Sequence, residues 1–434
     1  MAEISNWGMY PRINATIVEK DNASDIGQEI IKYPEVIARG NGRCYGDSAL
    51  NNHIISTLRL NKILQFDATA GIIKAEAGVL LNDILKVIVP QGYFLPVAPG
   101  TKYITVGGAV ASNIHGKNHH TEGAISNYIK ALDIILDNGE VKHCSPTENV
   151  TLYKNTIGGM GLTGIIVSVT IRLKAIETSF IKQKSIRAKN IDEVLDLFET
   201  YASSTYSVAW IDCLSRGTVL GRSILMLGEH ASKESIPTEK SILRVHPNRK
   251  INIPFTFPSF VLNTWSVKVF NYIYYFKQLQ KETNRIVHYN NYFFPLDIVN
   301  NWNKIYGKAG FTQYQFVIPF VNGKEGLKKI LGLISASGNG SFLAVLKTMG
   351  AADEFSSPLS FPMPGYTMAL DFKITPENLK LMEKLDKLVL EYKGRLYLTK
   401  DARMSKEMFR ATYPTALNLT EKFHSFQSNR LHIQ

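Results

Sequence analysis

Two glycine-rich segments of the chain have the composition of phosphate-binding loops. The first, at 40–48, reads GNGRCYGDS, and the second, at 100–116, reads GTKYITVGGAVASNIHG. Glycine lets the backbone approach a phosphate closely, and successive N–H groups can then form an anion-binding nest. The small residues after Thr105 could also open a short helix whose N-terminus faces a pyrophosphate. Glycine content alone leaves a second interpretation open, namely two tight turns in a β-rich domain.

A third segment, GMGLTG at 159–164, has the GxGxxG spacing of a dinucleotide fingerprint. The Rossmann version of this motif follows a strand, opens a helix and has an acidic residue at a fixed distance. Here the motif follows a helical pattern and opens the strand pattern IIVSVTIRL, without that acidic residue. The context therefore argues against an NAD-binding Rossmann fold.

The densest polar cluster is HGKNHH at 115–120. His115 and His119 have a spacing that could bind a metal, but the cluster contains no carboxylate or cysteine to complete the ligand set. We therefore predict no metal site and expect cofactor or substrate contacts from these residues.

Near the C-terminus, Tyr397 and Lys400 follow a short strand pattern and precede Asp401. One interpretation is a surface lysine paired with its acidic neighbour. The other is a desolvated lysine that binds an alkoxide or takes part in proton transfer beside a cofactor. The spacing leaves both interpretations open.

The composition limits the class of protein. The chain has 434 residues, 45% apolar, with a formal net charge of +12. This length favours at least two domains. The sequence contains no uninterrupted run of eighteen apolar residues, which is about the length that a bilayer-spanning helix needs. Three separated cysteines and no secretory signal favour a reducing, cytoplasmic location. The basic surplus could serve nucleic acid, anionic lipid or a phosphorylated substrate, but no nucleic-acid motif is present.

The local patterns predict an α+β fold with many short strands. Hairpins are expected at 62–78 and at 131–145, where Asp137-Asn138-Gly139 forms the second turn. Apolar residues at helical spacing predict a helix over 79–92. The pattern changes near 178–185, where we place a domain boundary.

Five blocks in this order resemble the vanillyl-alcohol oxidase/p-cresol methylhydroxylase flavoprotein superfamily. They are ARGNGRCYGDSAL, VAPGTKYITVGGAVASNIHGKNHHTEGAISNYIKALDIIL, GGMGLTGII, FFPLDIVNNWNKIYGKAGFTQYQFVIP and GRLYLTKDARMS. The first three are typical of the superfamily, and IHGKNHH, FPLD, QYQFVIP and YLTKD resemble the narrower family of decaprenylphosphoryl-β-D-ribose 2′-oxidases. The resemblance covers nearly the whole chain.

The resemblance implies an α+β architecture with a two-subdomain, PCMH-type FAD-binding domain and a substrate domain with a large antiparallel sheet. The expected divisions are an FAD domain at 1–180, a substrate domain at 181–394, and a C-terminal segment at 395–434 that returns to the FAD domain.

The resemblance also implies site residues. FAD is expected to contact Gly40, Asn41, Gly42, Arg43, Cys44, Tyr45, Gly46, Asp47, Ser48, Gly100, Thr101, Thr105, Gly107, Gly108, Ala111, Ser112, Ile114, His115, Gly116, Gly164, Ile166, Tyr397 and Lys400. Gln315, Lys347, Lys117 and Trp210 are expected to line the substrate pocket. Lys400 is the predicted catalytic residue, assisted by Tyr45 or a water.

Two positions depart from the family pattern. Arg43 replaces the histidine that links FAD covalently in some superfamily members, so non-covalent FAD is predicted. Ala369 replaces a cysteine of the narrower family, and Thr367 stands where asparagine is common. A thiol-directed inhibitor of the family should therefore fail on this protein.

The implied reaction is hydride transfer to flavin from the 2′-carbon of a polyprenylphosphoryl-β-D-ribose, which gives the 2′-keto form. A separate keto-reductase would complete the epimerisation to arabinose. An alditol or aldonolactone oxidase acting on a soluble polyol or sugar lactone is the alternative activity, and nucleic acid is not expected as a partner.

The aromatic run at 260–276 gives two expectations for its surroundings. It could rest peripherally at the inner face of a membrane. The favoured alternative is a buried element with one polar face formed by Asn263, Lys268 and Asn271.

Overall fold

The computed structural model describes residues 1–236, 242–245, 251–258, 260–341, 343–413, 419 and 421–433. The stretch 230–250, whose order the sequence leaves open, lies partly outside these residues. Three sheets of four, five and eight strands organise the described part of the chain.

The first sheet is mixed. Its strand order is 1-2-4-3, with antiparallel pairing of the first two strands and parallel pairing of the others. Its strands and the helix that follows the second are β1 (Ala2–Ile4), β2 (Ile13–Glu19), α1 (Ala23–Ile31), β3 (Ile37–Arg39) and β4 (His53–Ser56).

The second sheet is antiparallel and has the order 5-6-10-8-9. It contains both predicted hairpins, which confirms them. The elements of this region are β5 (Ile63–Asp67), β6 (Ile72–Glu76), α2 (Leu81–Ile88), β7 (Tyr93–Phe94), α3 (Val106–Ala111), α4 (His119–Glu122), β8 (Ile129–Ile135), β9 (Val141–Cys144), α5 (Val150–Thr156), β10 (Ile165–Arg172) and β11 (Lys174–Ala175).

The predicted helix over 79–92 is present as α2 followed by a 3-10 turn, Val89–Gln91. The chain leaves this turn at Gly92, whose φ of 80° favours glycine. Leu81, Ile84, Leu85 and Ile88 form the buried face of α2 because they recur at helical spacing.

The third sheet is antiparallel throughout, with the order 16-12-14-13-19-20-18-21. Its strands and the elements between and after them are β12 (Phe180–Ala188), α6 (Ile191–Thr200), β13 (Tyr206–Ile211), β14 (Ser223–His230), β15 (Ile251–Asn252), α7 (Thr264–Phe276), β16 (Glu282–His288), α8 (Tyr289–Phe293), β17 (Val299–Asn300), β18 (Phe311–Ile318), α9 (Phe320–Ser337), β19 (Ala344–Met349), β20 (Gly365–Lys373), α10 (Pro376–Glu391), β21 (Arg395–Leu396), α11 (Lys406–Thr412) and α12 (Phe426–Leu431). The mixed helix and strand content and the large antiparallel sheet are therefore as predicted.

The eight-stranded sheet has two differently used faces. Successive side chains alternate between faces, and on β18 Tyr314 and Phe316 pack into a core that α9 and α10 complete. Gln313 precedes Tyr314, and Gln315 lies between Tyr314 and Phe316. Both glutamines therefore point to the opposite face, where they line a cavity. The sheet thus positions polar side chains on one face while its other face carries the core.

Helix α7 overturns the polar face predicted for the aromatic run. Asn271 is fully buried and donates from Nδ2 to Asp212 Oδ1 at 2.7 Å. Trp265 and Ile273 are instead 77% and 61% exposed. The polar residue points inward because a buried carboxylate partner lies there, a long-range contact that sequence spacing does not reveal.

Candidate active site

One cavity lies between the two glycine-rich segments and the polar face of the eight-stranded sheet. It is lined by all the predicted cofactor and substrate residues except Gly46 and Asp47. Residues that the sequence did not single out also line it, among them Trp7, Val208, Met226, Tyr274, Asp297, Trp302 and Gln313. The structure therefore brings together residues separated by more than 350 positions, such as Gly40 and Lys400.

The two glycine-rich segments are packed directly against each other. Asn41 donates from Nδ2 to the Tyr103 carbonyl at 2.7 Å. A Cβ on Gly40 would lie 2.2 Å from Thr105 Oγ1, the atom that accepts from Gly108 N and so caps α3. Because Gly40 lacks a side chain, the two segments approach each other closely and line one wall of the cavity with backbone, an arrangement that suits the pyrophosphate of a dinucleotide.

Gly46 and Asp47 lie behind the cavity wall and fasten the first segment to the C-terminal region. A Cβ on Gly46 would lie 1.8 Å from the Asp401 carbonyl oxygen. Arg430 of α12 donates to Asp47 at 2.8 Å and also to Asp401 at 2.8 Å. Asp401 therefore pairs with Arg430, and the predicted alternative of a surface Lys400–Asp401 pair is wrong.

Lys400 ends a 3-10 turn, Leu398–Lys400, and its side chain points over an aromatic ring. Its Nζ lies 4.0 Å from the centroid of the Tyr45 ring. Burial lowers the pKa of Lys400 to about 8, and the charge of Asp371 opposes that change. An amine with this pKa can exchange a proton near neutral pH, as a general base requires.

Asp371 is a buried carboxylate on β20 that the sequence analysis missed. Gln313 Nε2 donates to it at 2.7 Å, and the Tyr306 hydroxyl donates at 3.1 Å. Burial raises the pKa of Asp371 to about 7. The signal in the sequence was an acidic residue inside the apolar pattern of 365–373.

Lys117 and Lys347 lie partly buried at the sheet side of the cavity. Burial lowers the pKa of each to about 7. Lys117 donates to the Tyr292 carbonyl and lies 4.2 Å from that residue's ring centroid. Lys347 Nζ lies 3.0 Å from His115 Nδ1. Neither lysine, nor Lys400, has an ion pair with a carboxylate among the described residues.

His115 occupies the centre of this polar region. Its Nε2 lies 3.2 Å from Gln315 Nε2, and its ring lies 5.4 Å from that of Tyr397. Burial, followed by the charge of Lys347, lowers the pKa of His115 well below its usual value. His115 is therefore a neutral hydrogen-bonding group near neutral pH.

Tyr397 and Trp210 form two aromatic parts of the wall. Tyr397 donates its hydroxyl to the Ser112 carbonyl at 2.9 Å and stacks on Phe361 with a centroid distance of 4.6 Å. The Trp210 ring packs on the ring of Tyr274 of α7, with 4.6 Å between the two ring centroids. Gly164 and Ile166, at the start of β10, line the cavity as well. No group of three or more potential metal ligands occurs within the described ranges.

Comparison with known proteins agrees with this geometry. A family model for an FAD binding domain matches residues 28–145, which include both glycine-rich segments. A decaprenylphosphoryl-beta-D-ribose oxidase from Mycolicibacterium smegmatis is 35% identical over 423 residues, which cover 95% of this chain and 91% of that protein. The chain belongs to the decaprenylphosphoryl-β-D-ribose oxidase family. As a member of this family, it is an FAD-dependent oxidoreductase acting on a CH–OH group.

More distant relatives match only part of the chain. A D-lactate dehydrogenase from Anaerostipes hadrus is 35% identical over 28% of this chain, and an L-gulonolactone oxidase from Mus musculus is 27% identical over 37% of it. The lactone oxidase alternative therefore rests on a much shorter similarity than the family assignment does.

Proposed function

We propose that this protein oxidises the 2′-hydroxyl of a polyprenylphosphoryl-β-D-ribose to the 2′-keto form, as the first half of an epimerisation to arabinose. The observation that carries the proposal is the set of Lys117, Lys347 and Lys400 in one cavity, without carboxylate ion-pair partners in the part of the chain that the structure describes. Buried cations are costly unless an opposite charge compensates them. An anionic, phosphorylated substrate supplies that charge.

The side chains that line the cavity have different roles in the proposed reaction. FAD, when bound in the glycine-lined cradle, supplies the acceptor for hydride. Lys400 holds the alcohol oxygen and accepts its proton, with Tyr45 packed beneath the amine. Lys117 and Lys347 bind the phosphate, and Gln315 orients the sugar through its contact with His115. Trp210 forms the apolar wall of the pocket.

We further propose that FAD is held without a covalent link. Arg43, which replaces the linking histidine, has its guanidinium 3.9 Å from the Trp7 ring centroid. A guanidinium cannot form the histidyl bond to flavin, and its charge suits the pyrophosphate. Ala369 also lines the cavity beside Thr367, so this position offers no thiol to a covalent inhibitor.

The proposed domain division is 1–180, 181–394 and 395–434, with two subdomains in the first. Its support is that the strands of the four- and five-stranded sheets all precede residue 175, whereas the large sheet begins at Phe180. The C-terminal segment starts with β21, which still pairs with β18. Its later residues return to the first sheet region, where Phe423 bridges to Val36.

A lipid-linked substrate has consequences for partners and location. We propose a cytoplasmic enzyme in peripheral contact with the inner face of the membrane, and a separate keto-reductase that consumes the product. Among the described residues, no helix has the length and apolarity that a membrane crossing requires.

The test is anaerobic bleaching of the flavin absorbance by candidate substrates. Polyprenylphosphoryl ribose should bleach the flavin, whereas free alditols and sugar lactones at equal concentration should not. Bleaching by the soluble sugars alone would support the alditol or aldonolactone oxidase instead. Acid precipitation should release the yellow flavin into the supernatant, and flavin retained by the pellet would contradict non-covalent binding.

A further inference from the structure

The exposed apolar residues of the molecule are concentrated on one segment. Residues 251–279 supply 11 of the 22 exposed large hydrophobic side chains among the described residues. Those on α7 share one face of the helix, and the others lie on the chain segments before and after it: Ile251, Phe255, Phe260, Val261, Trp265, Val269, Phe270, Tyr272, Ile273, Phe276 and Leu279. We call this set the α7 surface. A patch of this kind marks an interaction site rather than ordinary protein surface.

The orientation of α7 is fixed by polar contacts on its inner side. Asn271 donates to Asp212, whose other carboxylate oxygen pairs with Arg222 at 2.8 Å. Asn263 caps the N-terminus of the helix through a capping box. Rotating the helix to bury its apolar face would break the Asn271–Asp212 bond and leave a carboxylate short of a donor. The outward apolar face is therefore built into the fold.

The sequence segment that carries this surface has charged residues of one sign. Residues 240–281 contain seven Lys or Arg residues and no Asp or Glu. Lys268 lies on α7 with its Nζ 5.6 Å from the Trp265 ring centroid, and Lys277 lies 3.4 Å from that of Tyr274. Aromatic and aliphatic side chains bordered by cations match a bilayer interface with anionic headgroups.

The α7 surface is continuous with the cavity. The exposed Phe270 ring stacks on Tyr274 at 5.7 Å, and Tyr274 contacts Trp210 at 4.6 Å. Tyr274, Trp210 and Met226 all line the cavity. One helix thus carries aromatic side chains from the outer surface to the wall of the substrate pocket.

We propose that the α7 surface docks on an anionic lipid bilayer and that the aromatic series Phe270, Tyr274 and Trp210 guides the polyprenyl chain from the bilayer into the cavity. The guiding role rests on the proposed function, whereas the docking role does not. The partner is a lipid surface and not a second copy of the chain, because the basic segment would repel its own copy.

The docking test uses holoenzyme and flotation with vesicles of phosphatidylcholine, with and without phosphatidylglycerol. The wild type should float with the anionic vesicles and lose binding in high salt. The double substitution Trp265→Glu with Ile273→Glu should weaken binding by about 10-fold or more. Val321→Glu is the matched control, since Val321 is an equally open apolar residue, 90% exposed, on α9. Equal flotation of the wild type and the double variant would overturn the docking role.

The guiding test compares two substrates with the same proteins. The double variant should keep wild-type kcat/KM with a short-chain, water-soluble polyprenylphosphoryl ribose and lose activity with the long-chain substrate in anionic vesicles. An equal loss on both substrates would overturn the guiding role. If neither substrate reduces wild-type flavin, the proposed function fails while flotation still decides docking. A wild-type dimer that the double substitution converts to monomers in size-exclusion chromatography would identify a self-association surface and overturn the proposal.

Discussion

The two ends of the cavity are built by opposite means. At the proposed cofactor end, the glycine-rich segments at 40–48 and 100–116 pack closely because they lack side chains. At the proposed substrate end, the partly buried side chains of Lys117, Lys347 and Lys400 line the cavity with amines. The first end depends on close packing and should be sensitive to volume. The second depends on charge, and it should be sensitive to substrate ionisation and pH.

The largest expected effect belongs to Lys400. Replacing it with Ala removes the proposed base, and kcat should fall by about 10²–10⁴-fold while FAD remains bound. Lys400→Arg keeps the charge but holds its proton too tightly to act as a base, so kcat should stay low. Steady-state kinetics and the flavin spectrum measure both effects. Full turnover by the Ala variant with bound FAD would remove the role assigned to Lys400.

The cofactor end can be tested by adding one methyl group. In Gly40→Ala the new Cβ would meet Thr105 Oγ1 and disturb the cap of α3, which should weaken FAD binding by about 10–100-fold. Gly332→Ala on α9 is the control, because a Cβ there would meet no atom of the described residues within 4 Å apart from its chain neighbours and the nearby backbone of its own helix. Flavin fluorescence titration measures the affinity. If both variants bind FAD like the wild type, the close packing of the two segments is not what shapes the cradle.

The substrate end can be tested by removing one cation. Lys347→Met should raise KM for the phosphorylated substrate by about 10-fold and leave the Tm unchanged or higher, since an unpaired buried charge is lost. Steady-state kinetics and calorimetry provide the two values. An unchanged KM in a variant whose Tm is unchanged or higher would contradict a phosphate-binding role for Lys347.

The same cations predict a pH dependence of binding. Lys117 and Lys347 have pKa values lowered to about 7, so they carry charge below that pH and lose it above. Substrate affinity should therefore fall as pH rises from about 7 towards 9. Without ligand, stability should rise over the same interval, because unfolded lysine stays protonated while the buried amine does not. A substrate affinity that rises, or a stability of the ligand-free protein that falls, between about pH 7 and 9 would contradict the unpaired state of these lysines.

The smallest expected effect is a displaced pH profile. Asp371 stabilises the Lys400 cation, so Asp371→Asn should lower the pKa of Lys400 and move the rise of kcat to lower pH by about one unit. The asparagine carbonyl would accept from Gln313 Nε2, and the Tyr306 hydroxyl, which donates to the other oxygen of Asp371, could turn to accept from the new amide nitrogen. The kcat–pH profile provides the measurement, and a rise that stays at the wild-type pH would separate Asp371 from the reaction.

Much of the cofactor end could be predicted from the sequence because its signals are local. Glycine clusters and their order along the chain are visible without tertiary contacts, and the segments at 40–48 and 100–116 both reach the cavity. The spacing alone does not decide whether Lys400 forms a surface ion pair with Asp401 or lies desolvated beside a cofactor. Only the fold shows that Asp401 pairs with Arg430 and that the Lys400 side chain lines the cavity instead.

The rest depends on pairings between distant strands and helices. Asp371 belongs to the site because the pairing of β18 with β20 places Gln313 beside it. Asn271 turned inward because Asp212 lies 59 residues earlier on the strand side of the helix. Neither partner can be chosen from periodicity, since a helical period gives a face but not the direction in which it points.

The contact of Arg430 with Asp47 joins residues that are 383 positions apart. It ties the first glycine-rich segment to α12, an element that is synthesised long after that segment. Until Arg430 has left the ribosome, the loop that should hold the pyrophosphate lacks this fastening. We therefore expect stable loading of FAD only after α12 has emerged, and products truncated before it should be recovered without flavin.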